Sequence, residues 1–175
     1  EGIDKAEKHL HNLVHKKSAF INVSLFSLVS EQRQEAFENS MRDAGLEVYP
    51  ELMGHGYYIP ETAQYYVSNF IAAGATAIIC GSDAIAKGVI SECQLHGFNV
   101  PNDISVVGFD DVKFAAALTP PLTTVRQECN DLGRCAYIIL NSLIHHIPIS
   151  RTQLRPRLIE RESTARVSTA HAAEE

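Results

Sequence analysis

The chain has 175 residues, enough for one large domain or two small lobes sharing a core. It is 45% hydrophobic, 7% aromatic and 21% charged, an ordinary balance for a soluble globular protein. A formal net charge of -6 argues against a nucleic-acid-binding face on this chain, because phosphate contacts need clustered Lys and Arg, and Lys16-Lys17 is too short a basic run to supply them.

Residues 3–15 place Ile3, Ala6, Leu10, Leu13 and Val14 near helical spacing, which predicts an amphipathic helix. Residues 18–23 read as a strand. Ser30 is the expected N-cap of a helix running to Ala44, with Gly45 as its stop. Residues 46–48 are apolar and extended, and Gly54 to Tyr58 reads as a loop. Pro60 fits the first turn of a helix carrying Tyr65, Val67, Phe70 and Ile71. Residues 76–80 form a short buried strand, followed by Gly81, Ser82 and a helix through Leu95 that stops at Gly97.

The run 103–127, DISVVGFDDVKFAAALTPPLTTVRQ, is the most informative stretch. Ile104, Val106 and Val107 lead into Gly108, Phe109 and two carboxylates, as in a strand buried on both faces with charge where it leaves the sheet. Ligands of open parallel sheets bind outside the carboxyl ends of strands, which is where Asp110 falls. Pro120-Pro121 then stops any helix before a strand at 122–125. Asn130 caps a helix to about His146, and residues 153–159 give the last strand. From Val167 onward Ser, Thr, Ala and Glu read as a frayed tail. Strand–helix alternation with short connections implies an α/β fold, a parallel sheet flanked by helices on both faces.

Cys80, Cys93, Cys129 and Cys135 form no CxxC pair and sit in apolar or helical runs, where Cys behaves as a small hydrophobe. A reducing, cytoplasmic setting is expected, though sequence leaves a disulfide open. The opening residues read as a polar helix, not a signal peptide, and no apolar run is long enough to span a bilayer, so no membrane role is expected. Glu1 stands where an initiator Met would, which fits a fragment or a processed product. No GxGxxG, Walker, GxSxG or HExxH motif is present, so neither an enzyme nor a cofactor is expected. His11 and His15 share a helix face but have no third ligand nearby, and the adjacent His145 and His146 point apart, so no metal site is expected.

Five segments together carry a resemblance: HLHNLVHKKSAFI, EQRQEAFENSMRDAGL, TAIICGSDAIAKGV, VPNDISVVGFDD and PPLTTVRQECNDLG. In this combination and order the chain resembles the effector-binding core of the lactose-repressor/galactose-repressor family of bacterial transcription regulators. The resemblance covers nearly the whole chain. It implies a periplasmic-binding-protein-like type I fold in which a small molecule sits between two lobes. It further implies that residues 1–118 form the C-terminal lobe and that 119–150 are a crossover strand and helix of the N-terminal lobe. Residues 151–163 are then the returning strand and 164–175 a flexible tail. On this reading the chain is truncated: the helix-turn-helix head and most of the other lobe are missing, and operator DNA is bound only through that head.

Arg33 offers a rigid fork of donors to vicinal hydroxyls, against the alternative of a solvated surface Arg; the match of EQRQEAF favours a ligand role. Asp110 accepts paired hydroxyl bonds, against a plain turn carboxylate, and Asp111 reads as a turn or cap residue. Ser82 and Asp83 serve as cap and dipole partner, and by resemblance face the ligand, although the family often has Asn where Ser82 stands. Tyr58 offers an aromatic face to a pyranose or simply packs its loop; Gln127 by resemblance lies at the hinge and touches ligand, or only braces the hinge. Lys87, Val89, Phe114 and Leu118 fall in segments that form a homodimer contact in the family, or pack in the core. The resulting expectation is a sugar-binding allosteric core. A transport-type periplasmic sugar-binding protein is the alternative. A phospho-acceptor receiver is disfavoured because the strand at 18–23 ends in Ser24, Leu25 and Phe26, without acids.

Overall fold

The computed structural model describes residues 1–24, 27–150 and 152–167. Its centre is a six-stranded sheet of order β2-β1-β3-β4-β5-β6. The strands are β1 (Ser18–Val23), β2 (Met53–Gly56), β3 (Ala77–Cys80), β4 (Ser105–Asp110), β5 (Thr123–Arg126) and β6 (Arg157–Ile159). All neighbours are parallel except the β5–β6 pair. The helices are α1 (Gly2–Asn12), α2 (Leu28–Asp43), α3 (Val67–Ala72), α4 (Asp83–Leu95) and α5 (Cys129–Ile144).

Strand side chains alternate between two cores, as the period of two requires. Phe20, Ala77, Ile79, Val107, Phe109 and Val125 pack under α1 and α2, where Phe20 stacks on Phe37 at 5.1 Å. Ala19, Ile21, Val23, Ile78, Cys80 and Val106 pack on the opposite face beneath α3 and α4. Both faces being covered explains why β3 is an uninterrupted apolar run and why β1 is nearly so, its one amide, Asn22, being buried and donating to the Ser30 carbonyl at 2.8 Å.

Several expected elements are placed differently. Residues 46–48 form no strand; Leu46 and Val48 pack on the α1–α2 core as coil. The edge strand β2 is built where a loop was expected. Its glycines allow close approach: a Cβ on Gly54 would lie 3.0 Å from the Tyr66 ring, and one on Gly56 would lie 2.2 Å from the Thr62 methyl. The Tyr66 hydroxyl closes the contact by donating to the His55 carbonyl at 2.7 Å. After Pro60 the chain makes a 3-10 turn, Pro60–Tyr65, before α3. Helix α2 starts earlier than expected, with Ser27 at its N-cap, so Ser30 is a buried helical residue.

The segment 119–150 divides. Its strand, β5, expected in a crossover to another lobe, pairs in parallel with β4 in this sheet. Its helix, α5, has no buried residue and shows Leu132, Tyr137, Ile138, Leu140, Leu143 and Ile144 to solvent. Residues 165 and 167, expected within a tail, are hydrogen-bonded to the fold. The Ala165 amide donates to Ser105 Oγ at 3.0 Å, its carbonyl accepts from His15 Nε2 at 3.0 Å, and the Val167 amide donates to the Leu13 carbonyl at 3.1 Å. Residues 168–175 lie outside the described residues.

Candidate effector-binding edge

The strand order places a topological switch point between β1 and β3, since the chain leaves β1 toward β2 on one side and returns to β3 on the other. In open parallel sheets the crevice at the carboxyl ends beside such a point is where ligands bind. Arg33, in the second turn of α2, reaches into it. Its Nη1 donates to the Gly81 carbonyl at 2.8 Å, and its guanidinium lies 4.2 Å from the centroid of the Phe109 ring. The backbone tether and the aromatic face together fix the plane of the fork.

Asp110 ends β4 at the same edge, half-buried. Its Oδ1 accepts from Gln127 Nε2 at 2.6 Å. Burial raises its carboxyl pKa above the ordinary range, while the Gln127 hydrogen bond and the nearby Arg33 charge oppose that rise. Arg33, Asp110 and Gln127 thus come together from α2, β4 and the exit of β5. They offer a guanidinium donor, a carboxylate acceptor and an exposed amide. Tyr58 follows β2 and is 56% exposed on the same edge of the sheet.

Ser82 and Asp83 are turned inward. Ser82 is buried and its Oγ accepts the Ile85 amide at 3.3 Å as the α4 cap. Asp83 is 1% exposed, and both its oxygens are engaged: Oδ1 accepts from Thr124 Oγ1 at 2.5 Å and Oδ2 from the Val112 amide at 2.8 Å. Burial raises its carboxyl to about 6, against the two hydrogen bonds and with help from the charges of Asp110 and Asp111. Gly108 makes room for this carboxylate, since a Cβ there would sit 2.3 Å from Asp83 Oδ1. Asp83 therefore staples α4 to β5 and to the turn after β4.

Among the residues expected at a dimer contact, Val89 is fully buried in the core, so it presents no outer surface. Lys87 lies 5.8 Å from the exposed Phe114 ring, and Leu118 is partly buried against the α3–α4 core. His15 is buried between Thr76 Oγ1 at 2.9 Å and the Ala165 carbonyl, and burial lowers its pKa to about 4, so it is a neutral packing residue. The Cys80, Cys93, Cys129 and Cys135 thiols are free. No helix among the described residues is long and apolar enough to cross a membrane.

One group at this edge was not anticipated as a unit. Asp111 accepts from Arg126 Nε at 2.5 Å and from Arg161 Nη2 at 2.7 Å, with only 5% of its side chain exposed. Burial would raise its pKa, but the two arginines outweigh that and hold it below the usual carboxylate range. The paired carboxylates at 110–111 and the charge of Arg126 were the available sequence signal; the register Asp110↔Arg126, which brings them together, was not.

Residues 8–164 match the periplasmic binding protein-like domain. The chain belongs to this family. Within it, the relatives place the chain with the lactose-repressor/galactose-repressor regulators. It is 36% identical over 162 residues to a protein of Actinobacillus pleuropneumoniae described as the HTH-type transcriptional repressor PurR, covering 91% of this chain and 47% of that one. The chain thus spans about half the length of the curated relatives it matches. The dimeric Lac repressor with an 11-residue C-terminal deletion superposes with a TM-score of 0.87 at 23% identity, over 95% of this chain and 62% of that one. The transcriptional regulator CelR–cellobiose complex superposes with a TM-score of 0.85 at 24% identity, over 93% and 51%. These two structural likenesses establish the fold of this family member.

Proposed function

We propose that this chain is one wall of the effector cleft of a bacterial transcriptional repressor, and that its role is binding rather than catalysis. The observation that carries this reading is the convergence of Arg33, Asp110 and Gln127 at the switch-point edge. Adjacent hydroxyls suit an ionised carboxylate beside a planar fork of donors, so the effector is a sugar or sugar derivative, with Tyr58 as a stacking face at the rim. The cellobiose carried by one structural neighbour supports that class. The buried, internally bonded Ser82 and Asp83 shape the edge without touching the ligand.

The helix α5 and the segment after it belong to the second lobe. Leu132, Tyr137, Ile138, Leu140, Leu143 and Ile144 lie exposed and no residue of it is buried, the pattern of a helix that belongs inside another layer. A cavity of about 430 Å³ lies between its inner face, lined by Leu132, Cys135 and Ile139, and residues 152–156. A ligand touching both lobes favours one arrangement of them over another, and that population shift alters the spacing of DNA-binding heads on an operator. Lys87, Phe114 and Leu118 mark the surface through which two cytoplasmic copies pair. The regulator names of the relatives favour this reading over a transport-type binding protein.

The test is calorimetry on the intact protein with a panel of mono- and disaccharides and, as a contrast, purine bases. A saccharide is expected to bind, and Asp110→Ala to weaken it by roughly 10- to 150-fold, the worth of hydrogen bonds to a charged group, with an unchanged circular dichroism spectrum. Binding of a purine base alone would overturn the sugar assignment, and unchanged affinity in Asp110→Ala would overturn the site.

A further inference from the structure

At the edge where the chain leaves for α5 and returns to β6, two consecutive residues hold left-handed backbone conformations, Asp110 at φ 108° and Asp111 at φ 54°. Such geometry is strained for a residue with a side chain and persists only where surrounding contacts over-determine it. The contacts here interlock. The side chain following β5, Gln127, reaches back to Asp110, while the last residue of β5, Arg126, reaches forward to Asp111. Arg161, just after β6, is itself fixed by Nη1 donating to the Leu122 carbonyl at 2.7 Å and by its amide donating to Thr123 Oγ1 at 2.9 Å. It then presents Nη2 to Asp111. One carboxylate therefore joins the end of β4, the outgoing β5 and the chain returning from β6. A second ionic link, Glu128 with Arg157, ties the outgoing and returning chains a step further on.

We propose that Asp111 is a positioning residue: it holds the strained turn that aims Asp110 into the cleft and couples that carboxylate to both connections between the lobes. The proposal rests on the reading of Asp110 as an effector contact and goes beyond it. It assigns the coupling to a residue that touches no ligand. A buried carboxylate serving stability alone would need neither the strained neighbour nor arginines drawn from two different connecting segments.

Asp111→Asn keeps the shape and removes the charge, and it is compared with Asp110→Asn and the double variant in the intact protein. Amide hydrogen exchange is read first, without ligand. Exchange at residues 108–113 and 126–128 is expected to quicken by about tenfold or more in Asp111→Asn, with the α1–α2 core unchanged. Binding of cellobiose, D-ribose and guanine is then measured by calorimetry, all three probes on all four proteins. For whichever probe the unaltered protein binds, Asp111→Asn is expected to weaken affinity by roughly tenfold, yet to add almost nothing in the Asp110→Asn background, because it acts through that residue. Unchanged exchange at the turn overturns the clamp. Losses that simply add in the double variant overturn positioning and leave a stability role. If the unaltered protein binds none of the probes, the effector reading fails for those compounds, while exchange still decides whether Asp111 holds the turn.

Discussion

Asp83→Asn should stabilise the protein at neutral pH, although it alters a buried residue with two short hydrogen bonds. The carboxyl pKa moves from 3.8 in the unfolded chain to about 6 in the fold, chiefly by burial. Between those values native Asp83 holds a proton that the unfolded chain has released. Stability therefore falls as pH rises from about 4 to about 6, and the full cost is present at pH 7. At about 1.4 kcal/mol for each pH unit the cost is roughly 3 kcal/mol, which relaxation of the site reduces to about 1–3 kcal/mol. The amide keeps the contacts, with Oδ1 accepting from the Val112 amide and Nδ2 donating to Thr124 Oγ1. Urea unfolding at pH 4, 5, 6 and 7 should show the variant about 1–3 kcal/mol more stable than the unaltered protein at pH 7 and nearly equal to it at pH 4. Parallel stability profiles, or a variant less stable at pH 7, would refute the reasoning.

Glu7→Met should also stabilise. Glu7 is 1% exposed, one of its oxygens has no partner, the other accepts a long 3.4 Å bond from Ser18, and burial raises its pKa to about 7. Replacing an unsatisfied carboxyl by an apolar chain of similar length should gain about 1–3 kcal/mol at pH 7 and more at pH 8, read as a shift of the urea midpoint. Gly88→Ala should do the reverse, because a Cβ there would stand 2.0 Å from the Pro60 carbonyl oxygen. Forcing the 3-10 turn off α4 should cost about 1–3 kcal/mol by urea unfolding, and an unchanged midpoint would contradict that packing.

The strands legible in the sequence were those whose environment is uniform. β1, β3 and β4 are buried on both faces, so a local apolar run suffices to reveal them. β2 was illegible because its residues Met53–Gly56 have poor strand propensity; it forms through contacts with Tyr66 and Thr62 that local pattern does not encode. Position at strand and helix ends was enough to bring Arg33, Asp110 and Gln127 to one edge of the sheet. The same rule does not reveal that Ser82 and Asp83 turn inward, because a carboxylate opening a helix can face the crevice or turn back onto the next strand. Gly108, in the strand opposite, held the clue, but its meaning depends on knowing that β4 neighbours β5. Val89 fails for a similar reason: helical spacing alone leaves open which face of α4 meets the sheet.

The paired aspartates show where fold and function diverge. Left-handed backbone at two successive positions would be least strained with glycine. Aspartate tolerates that region better than most side chains, yet it is a compromise, and a backbone requirement alone would not select it twice. What the two positions share is a carboxylate with distinct partners. Asp111 is enclosed by arginines and kept ionised, whereas Asp110 is left half-buried beside an amide and a guanidinium. One charge is satisfied inside the fold and the adjacent one keeps capacity at the edge. A purely structural turn would satisfy both, so the asymmetry between neighbouring, chemically identical residues supports the proposal that this edge holds a ligand.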